Sequence, residues 1–354
     1  MFETQIIMPD SQEAVENICR KLWMDNFSDT PGYINYYFNN RWHKSITFLS
    51  DNVSMLHLNP YHIKINRKET TLYYIVGVCT FKEYRKRGYM DTMLKKALVF
   101  MYNKKLPFTY LMPASEKIYK PYGFTGIYPV STCDMDIPDI KREIHGSTNI
   151  IYSMLETSQK EALYYYTENK LSQNFSCYAD HNVAYFEELD KEMAACNGNI
   201  VTFWEKDSLQ CLGYIVYMCE DFPEIAESVF EEKIQMDILQ YFHKKNYYKI
   251  KLYETYFWNI PDCPEPKNYL MARITDLKTF IQGLYSERRC EMWLVIEDKY
   301  ISGNNGKWHI IIDKKSSSCQ WCSGEENNKW ERCTIEEFGR KYLPYYRYYL
   351  NELV

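Results

Sequence analysis

The chain has no apolar run approaching the ~20 residues that a membrane-spanning helix requires, so no span is expected. Its first residues, Met1-Phe2-Glu3-Thr4-Gln5, lack a basic segment followed by an apolar stretch, so no signal peptide is read there. It also lacks an excess of positive charge. Lys and Arg number 42 against 47 Asp and Glu, a net charge of −5. That balance argues against nucleic-acid binding and agrees with a cationic substrate. No second C-x-x-C accompanies Cys319-Gln-Trp-Cys322. Cys333 with His309 or Cys290 would have to complete a zinc site, so free thiols and no metal are expected. The twelve cysteines are scattered, and Cys19, Cys79 and Cys211 lie inside apolar segments, which suits reduced thiols in a cytoplasmic protein.

The remainder is a globular composition. Hydrophobic residues make up 46% and charged residues 25% of 354 positions, enough for two or three domains. The 34 tyrosines, many beside lysine and asparagine, read as compositional bias as much as function.

Periodicity divides the chain into three units. Residues 1–130 begin with a short strand at Ile6 and Met8 and a helix, capped by Asp10 or Ser11, carrying Val15, Ile18, Leu22 and Trp23. A second helix is expected over Tyr33–Trp42. Strands are expected at Ile46–Leu49, Val53–Leu58, Tyr73–Thr80 and Tyr110–Met112, with a helix over Asp91–Met101 between the last two. Strands interleaved with helices indicate an α/β (α+β) sheet. Residues 131–267 are expected to hold helices at Gln159–Lys170, Val183–Ala195 and Phe230–Lys244, and strands at Ile200–Trp204 and Gly213–Met218. That order echoes the first unit as a degenerate repeat. A proline-rich linker, Pro261 to Pro266, leads into residues 268–354, where strands Met271–Ile274, Glu291–Glu297 and Lys307–Asp313 and a helix Ile335–Tyr342 are expected. The aromatic end, Pro344 to Val354, is expected to dock on the protein.

The chemistry concentrates between Val78 and Phe124. The strand ending Val78-Cys79-Thr80 runs into the basic turn Arg85-Lys86-Arg87-Gly88 and then the helix beginning Tyr89-Met90-Asp91. The first helical N–H groups have no intrahelical partner, the helix dipole adds positive charge, and Gly88 permits close approach. A pyrophosphate fits there. R-x-x-G alone is common, but here it is followed by Pro113-Ala-Ser115-Glu and by Tyr119-Lys-Pro-Tyr-Gly-Phe124. V-x-T-x(4)-R-x-x-G followed by Y-x-x-Y-G-F resembles the acyl-CoA site of the GNAT N-acetyltransferases.

Trp23-Met-Asp-Asn-Phe27-Ser-Asp29, Met271-Ala-Arg-Ile-Thr-Asp and the ending Leu350-Asn-Glu-Leu-Val354 extend the resemblance to one branch of that superfamily, the enhanced-intracellular-survival (Eis-like) acetyltransferases. The resemblance implies two tandem GNAT-like domains and a sterol-carrier-like C-terminal domain, with transfer of acetyl from acetyl-CoA to an amine. The amine would be aminoglycoside-like, polyamine-like or a lysine, and the protein a homo-oligomer, hexameric in the family. Carried over, Val78, Cys79 and Thr80 would bind the pantetheine arm, and Arg85, Lys86, Arg87, Gly88, Tyr89, Met90 and Asp91 the pyrophosphate. Ser115 would lie near the reacting end. Tyr119 falls at the general-acid position and the Val354 carboxylate at the general-base position. Phe27 and Asp29 match the acceptor pocket.

Attack would be direct, with backbone N–H near Val78 stabilising the tetrahedral intermediate. Cys79 as a nucleophile is disfavoured, having no histidine nearby in sequence. The competing expectation is a non-enzymatic ligand or lipid carrier that keeps a regulatory CoA site.

Overall fold

The computed structural model describes residues 3–11, 13–137, 149–219, 221–323 and 329–350. Three sheets organise them. The largest has the order Thr4–Ile7, Ile46–Ser50, Ser54–Ile65, Lys68–Thr80, Phe108–Leu111, Lys267–Ile274, Thr125–Val130. The short strands Cys177–Ala179 and Tyr348–Tyr349 extend it from Ser54–Ile65. The strands lengthen well beyond their sequence-based bounds. Ser54–Ile65 and Lys68–Thr80 form one long hairpin around Asn66 and Arg67, both at positive φ.

The strand Lys267–Ile274 opens the expected third unit but lies inside the first sheet. It pairs antiparallel with Phe108–Leu111 on one side and Thr125–Val130 on the other. Its last five residues are all buried, as a strand covered on both faces must be.

The second sheet has the order Cys133–Asp136, Lys249–Leu252, Pro223–Phe230, Cys211–Cys219, Asn199–Glu205, Ile150–Met154. Pro223–Phe230 and Lys249–Leu252 are parallel, joined through the helix Gln235–Lys244. The first sheet repeats this unit: Lys68–Thr80, the helix Tyr89–Asn103, then the parallel strand Phe108–Leu111. Multiple sheets with this repeated unit are consistent with tandem GNAT-like domains. The helix expected over Phe230–Lys244 starts later. Alternation in Pro223–Phe230 makes that segment a strand, which periodicity over the following residues had hidden. The expected helix Tyr33–Trp42 is instead a short α-helix, Pro31–Tyr36, followed by one π-turn over Tyr37–Arg41. The first long helix starts at Glu16 with no side-chain cap, after 3₁₀ turns at Pro9–Ser11 and Glu13–Val15.

The third sheet has the order Ser318–Cys322, Gly306–Ile312, Cys290–Glu297, Trp330–Thr334. Cys322 and Cys333 therefore stand on opposite edge strands. Among the described residues no group of three His, Cys, Asp or Glu side chains converges as a metal site, and no disulfide joins any of the twelve cysteines. No described helix is long and apolar enough to cross a membrane.

A buried ion pair fastens this sheet to the first. Arg273 on Lys267–Ile274 donates from Nη2 to Asp298 Oδ1 at 2.6 Å, with both side chains essentially inaccessible. Its Nε donates to the Tyr122 carbonyl at 2.6 Å and its Nη1 to the Ile274 carbonyl at 2.6 Å. Asp298 also accepts from the backbone N–H of Tyr300 and Ile301 and from Asn304 Nδ2. Removing one partner of a buried pair leaves an uncompensated charge. Asp298→Ala is expected to lower stability by about 3–5 kcal/mol in urea denaturation. Glu287→Ala, at the exposed Lys314–Glu287 pair, is expected to leave the midpoint unchanged. Equal effects would remove the ion pair from its anchoring role.

Candidate active site

The site is built where the first sheet is left incomplete. Lys68–Thr80 and Phe108–Leu111 are parallel neighbours, yet they register through the single pair Tyr74↔Tyr110. Beyond it, Val76–Thr80 is paired on its other side only, with Ser54–His57. The ladder slips there. Met55 faces Cys79 while His57 faces Val76, so Gly77–Val78 carries one extra residue, a β-bulge. Gly77 takes φ 62°. A Cβ on it would fall 2.7 Å from His57 Cδ2 and 2.9 Å from Trp23. Glycine is thus required here both by conformation and by space.

The residues the sequence singled out divide by face. Val78 packs into one cluster with Met90, Leu111, Tyr119 and Phe124. Cys79 points the other way, buried, its thiol directed at the Leu22 carbonyl at 3.6 Å. Burial pushes that thiol well above its usual range, so it holds no thiolate to act as a nucleophile. Thr80 Oγ1 lies 2.7 Å from Ser54 Oγ.

The basic turn is largely self-supporting. Arg85 donates to the Thr80 carbonyl at 3.1 Å and to Asn26 Oδ1 at 2.6 Å. Arg87 donates to the Glu83 carbonyl at 2.9 Å and lies over the Tyr84 ring. Lys86, at φ 63°, is exposed. Gly88 at φ 94° opens the helix Tyr89–Asn103, and no side chain caps that N-terminus. Tyr89 is buried and Met90 half-buried behind it. Asp91 turns away to Lys95 at 2.7 Å and accepts from Tyr122 Oη at 3.0 Å. The 15-residue helix therefore presents open N–H groups and a positive dipole end.

Tyr119 ends the short helix Glu116–Tyr119. It is buried against Phe124, ring centroids 5.8 Å apart. Desolvation pushes its phenol up to about 12, so it stays protonated throughout the neutral range. Ser115, at the N-cap position of that helix, is exposed and makes no capping bond.

Phe27 and Asp29 are joined through Trp23. Its indole N–H donates to Asp29 Oδ2 at 2.7 Å, and Phe27 packs against it at a tilt, ring centroids 5.1 Å apart. Asp29 does not cap the next helix, because Thr30 does. The same aromatic cluster holds Tyr37, 4.4 Å from Trp23, and His57. Sequence reasoning missed His57. It sits in an apolar strand, and only the bulge brings it against Gly77. Its Nδ1 lies 2.9 Å from Thr47 Oγ1 and its Nε2 has no partner. Burial lowers its pKa to about 3, so it stays neutral. Val354 lies outside the described residues.

The candidate site thus joins a bulge at a half-open strand, an uncapped glycine-led helix after it and a buried protonated tyrosine. Residues 11–127, about a third of the chain, match the family described as Acetyltransferase (GNAT) domain. The fold is similar to a probable N-acyltransferase from Enterococcus faecalis V583, a conserved protein of unknown function: TM-score 0.76, 18% identity, 97% of this chain and 90% of that one. It is similar to a GCN5-related N-acetyltransferase from Anabaena variabilis: TM-score 0.73, 14% identity, 96% and 89% covered. It is similar also to Eis1 from Mycobacterium abscessus: TM-score 0.66, 11% identity, 97% and 89% covered. Comparison with curated proteins gave no match. The family match and the shared fold support a GNAT-superfamily acetyltransferase enzyme.

The bulge gives a direct test. Gly77→Val adds a side chain at positive φ against His57 and Trp23. It is expected to destabilise the protein by roughly 1–3 kcal/mol, the scale of overpacking in a filled core. Thermal denaturation measures it, and a neutral outcome would mean that the bulge does not need glycine.

Proposed function

We propose that this protein is an Eis-like acetyl-CoA-dependent N-acetyltransferase that acetylates a primary amine of aminoglycoside-like, polyamine-like or lysine type. Residues 1–130 form the acetyl-CoA-binding domain in this reading, 131–267 a degenerate GNAT-like domain, and 268–354 a sterol-carrier-like domain. The observation that carries the reading is the shared cluster of Val78, Met90 and Tyr119 beside the bulge. It gathers a half-open strand, the foot of an uncapped helix and a protonated phenol.

The residues fit the co-substrate. Backbone N–H groups from Lys86 to Asp91 would hold the pyrophosphate, aided by Arg85 and Arg87. The half-open edge at Val78, Cys79 and Thr80 would hold the pantetheine arm, with Ser115 nearer the reacting end. Acetyl-CoA supplies the acetyl group as a thioester. Backbone N–H near Val78, at the bulge, would face the developing oxyanion, a contribution of ~2.7–4 kcal/mol per donor in comparable sites. Tyr119 holds the proton that the departing sulfur needs, and a phenol with a pKa near 12 can give it to a basic thiolate without ionising beforehand. Phe27 and Asp29 would offer an aromatic face and a carboxylate to the incoming cation, with buried Trp23 holding both in place.

The Val354 carboxylate is the proposed base. Tyr348–Tyr349 runs parallel to Cys177–Ala179, which itself runs from the level of Ile65 to that of Ile63. The chain therefore approaches its end heading toward the level of His57 and the bulge. Tyr348, Tyr349 and Leu350 are buried.

Tyr119→Phe is expected to lower amine-dependent thiol release by about 10²–10⁴-fold with CoA affinity little changed. The wild-type rate should not fall between pH 7 and 10 through loss of this proton, since burial raises the phenol and its acid form persists. Near-normal turnover in the variant would return Tyr119 to packing. Appending residues after Val354 would keep a carboxylate but move it. Turnover is expected to fall at least about 10²-fold while acetyl-CoA binding persists. Full activity of the extended protein would exclude the terminal carboxylate as base.

A further inference from the structure

The two connections between the first and second sheets run side by side. Val130, the last residue of Thr125–Val130, pairs with Lys267, the first of Lys267–Ile274. Ser131 Oγ donates to the Pro264 carbonyl at 2.7 Å. Two residues on, Cys133 begins the second sheet opposite Leu252. The outgoing chain therefore passes against the returning linker, Pro261 to Pro266.

One cysteine stands on each connection. Cys133 is buried on an edge strand of the second sheet. Cys263 is exposed, and its thiol donates to Thr255 Oγ1 at 3.7 Å. The two thiols lie within hydrogen-bonding reach of each other. A disulfide needs closely spaced Cβ atoms, and segments pinned together at Ser131 and Pro264 bring the two side chains that near. Burial, with lesser contributions from Cys263 and Asp134, raises the Cys133 thiol. It is held protonated beside a partner that is open to solvent. Cys19 and Cys79 make the contrast. Both are buried, so neither meets an oxidant in the folded protein.

We propose that Cys133 and Cys263 form a reversible disulfide, stapling the two connections between the first and second sheets, when the protein meets a low-molecular-weight disulfide such as oxidised glutathione. The bridge requires nothing of the proposed acetyl transfer. The exposed Cys263 thiolate attacks one sulfur of oxidised glutathione, forming a mixed disulfide and expelling one glutathione thiolate. Cys133 then loses its proton and attacks the Cys263 sulfur, expelling the second. One protein disulfide forms, one glutathione disulfide is reduced to two thiols, and the two cysteine protons pass to those thiols. The bridge closes a loop on the order of 130 residues, and that loop contains all six strands of the second sheet. Restricting so long a loop in the unfolded chain raises the melting temperature of the stapled protein.

The full chain is incubated with oxidised glutathione and read by mass spectrometry. The expected product has lost two hydrogens and carries one peptide crosslink, Cys133 to Cys263. Cys133→Ser is expected to stop at the mixed disulfide, with glutathione on Cys263. Cys263→Ser, a change at an exposed position, is expected to carry neither the crosslink nor glutathione at that position. The melting midpoint of the oxidised protein is expected to rise by at least about 2 °C and to return on adding dithiothreitol. No crosslink, or crosslinks between other cysteines only, overturns the pair. An unshifted midpoint in the crosslinked protein overturns the staple. If Cys133→Ser does not fold, Cys263→Ser decides, because a two-hydrogen loss that persists there excludes the bridge.

Discussion

Arg273 is the point on which the arrangement depends. It lies on a strand that holds together two others, Phe108–Leu111 and Thr125–Val130, which do not pair with each other. Between those two the chain makes the excursion that carries Ser115 and Tyr119. Arg273 reaches out of its strand to the Tyr122 carbonyl and to Asp298, while Tyr122 bonds Asp91 at the foot of the helix Tyr89–Asn103. Tyr300, two residues past Asp298, bonds the Pro121 carbonyl at 2.9 Å and packs on Tyr122. One buried guanidinium thus joins the tyrosine segment, the helix Tyr89–Asn103 and the C-terminal sheet. A guanidinium suits this because its planar fork can serve three acceptors at once and does not lose its charge on burial.

The two sheets share a parallel crossover but differ in the charges where its helix begins. In the first, the crossover helix starts at Gly88, uncapped, after a basic turn. In the second, the helix Gln235–Lys244 follows a turn over Glu232–Ile234 with Glu231 and Glu232 where the first has basic residues, while an acid in the first turn, Asp237 here and Asp91 there, is common to both. Glu231 is paired with Lys170 at 2.7 Å. Carboxylates at a helix N-terminus are favoured by the dipole but occupy the field a phosphate would need. The fold is repeated, while the electrostatics of the crossover are not.

Burial tunes the titratable groups of the first site in one direction, toward neutrality. Desolvation keeps Tyr119 a phenol, Cys79 a thiol and His57 an uncharged imidazole. The charged side chains are exposed Asp29, the basic turn and Asp91, which is paired with Lys95. That separation suits a site where a cationic acceptor enters from one side and an anionic co-substrate from the other.

Much of the local structure around the candidate site was legible in the sequence because its parts are contiguous. The strand ending at Thr80, the turn to Gly88 and the helix after it are contiguous. Glycine, basic residues and helical periodicity announce themselves within twenty residues. The Val183–Ala195 and Ile335–Tyr342 helices were legible for the same reason, each with a capping residue before it, Asn182 and Thr334. The partner of each strand was not legible. Nothing in Lys267–Ile274 states that it enters a sheet formed some 150 residues earlier, since its pairing rests on backbone hydrogen bonds that carry no side-chain signature. Nor could the sequence set His57 against Gly77, because a one-residue slip in register decides which side chains meet. It could not bring Cys133 beside Cys263 either. Sequence settled the local conformations and the chemical groups on offer. Only the tertiary structure decided which were desolvated, which were paired and which were left open to a ligand, because those properties belong to distant segments meeting in space.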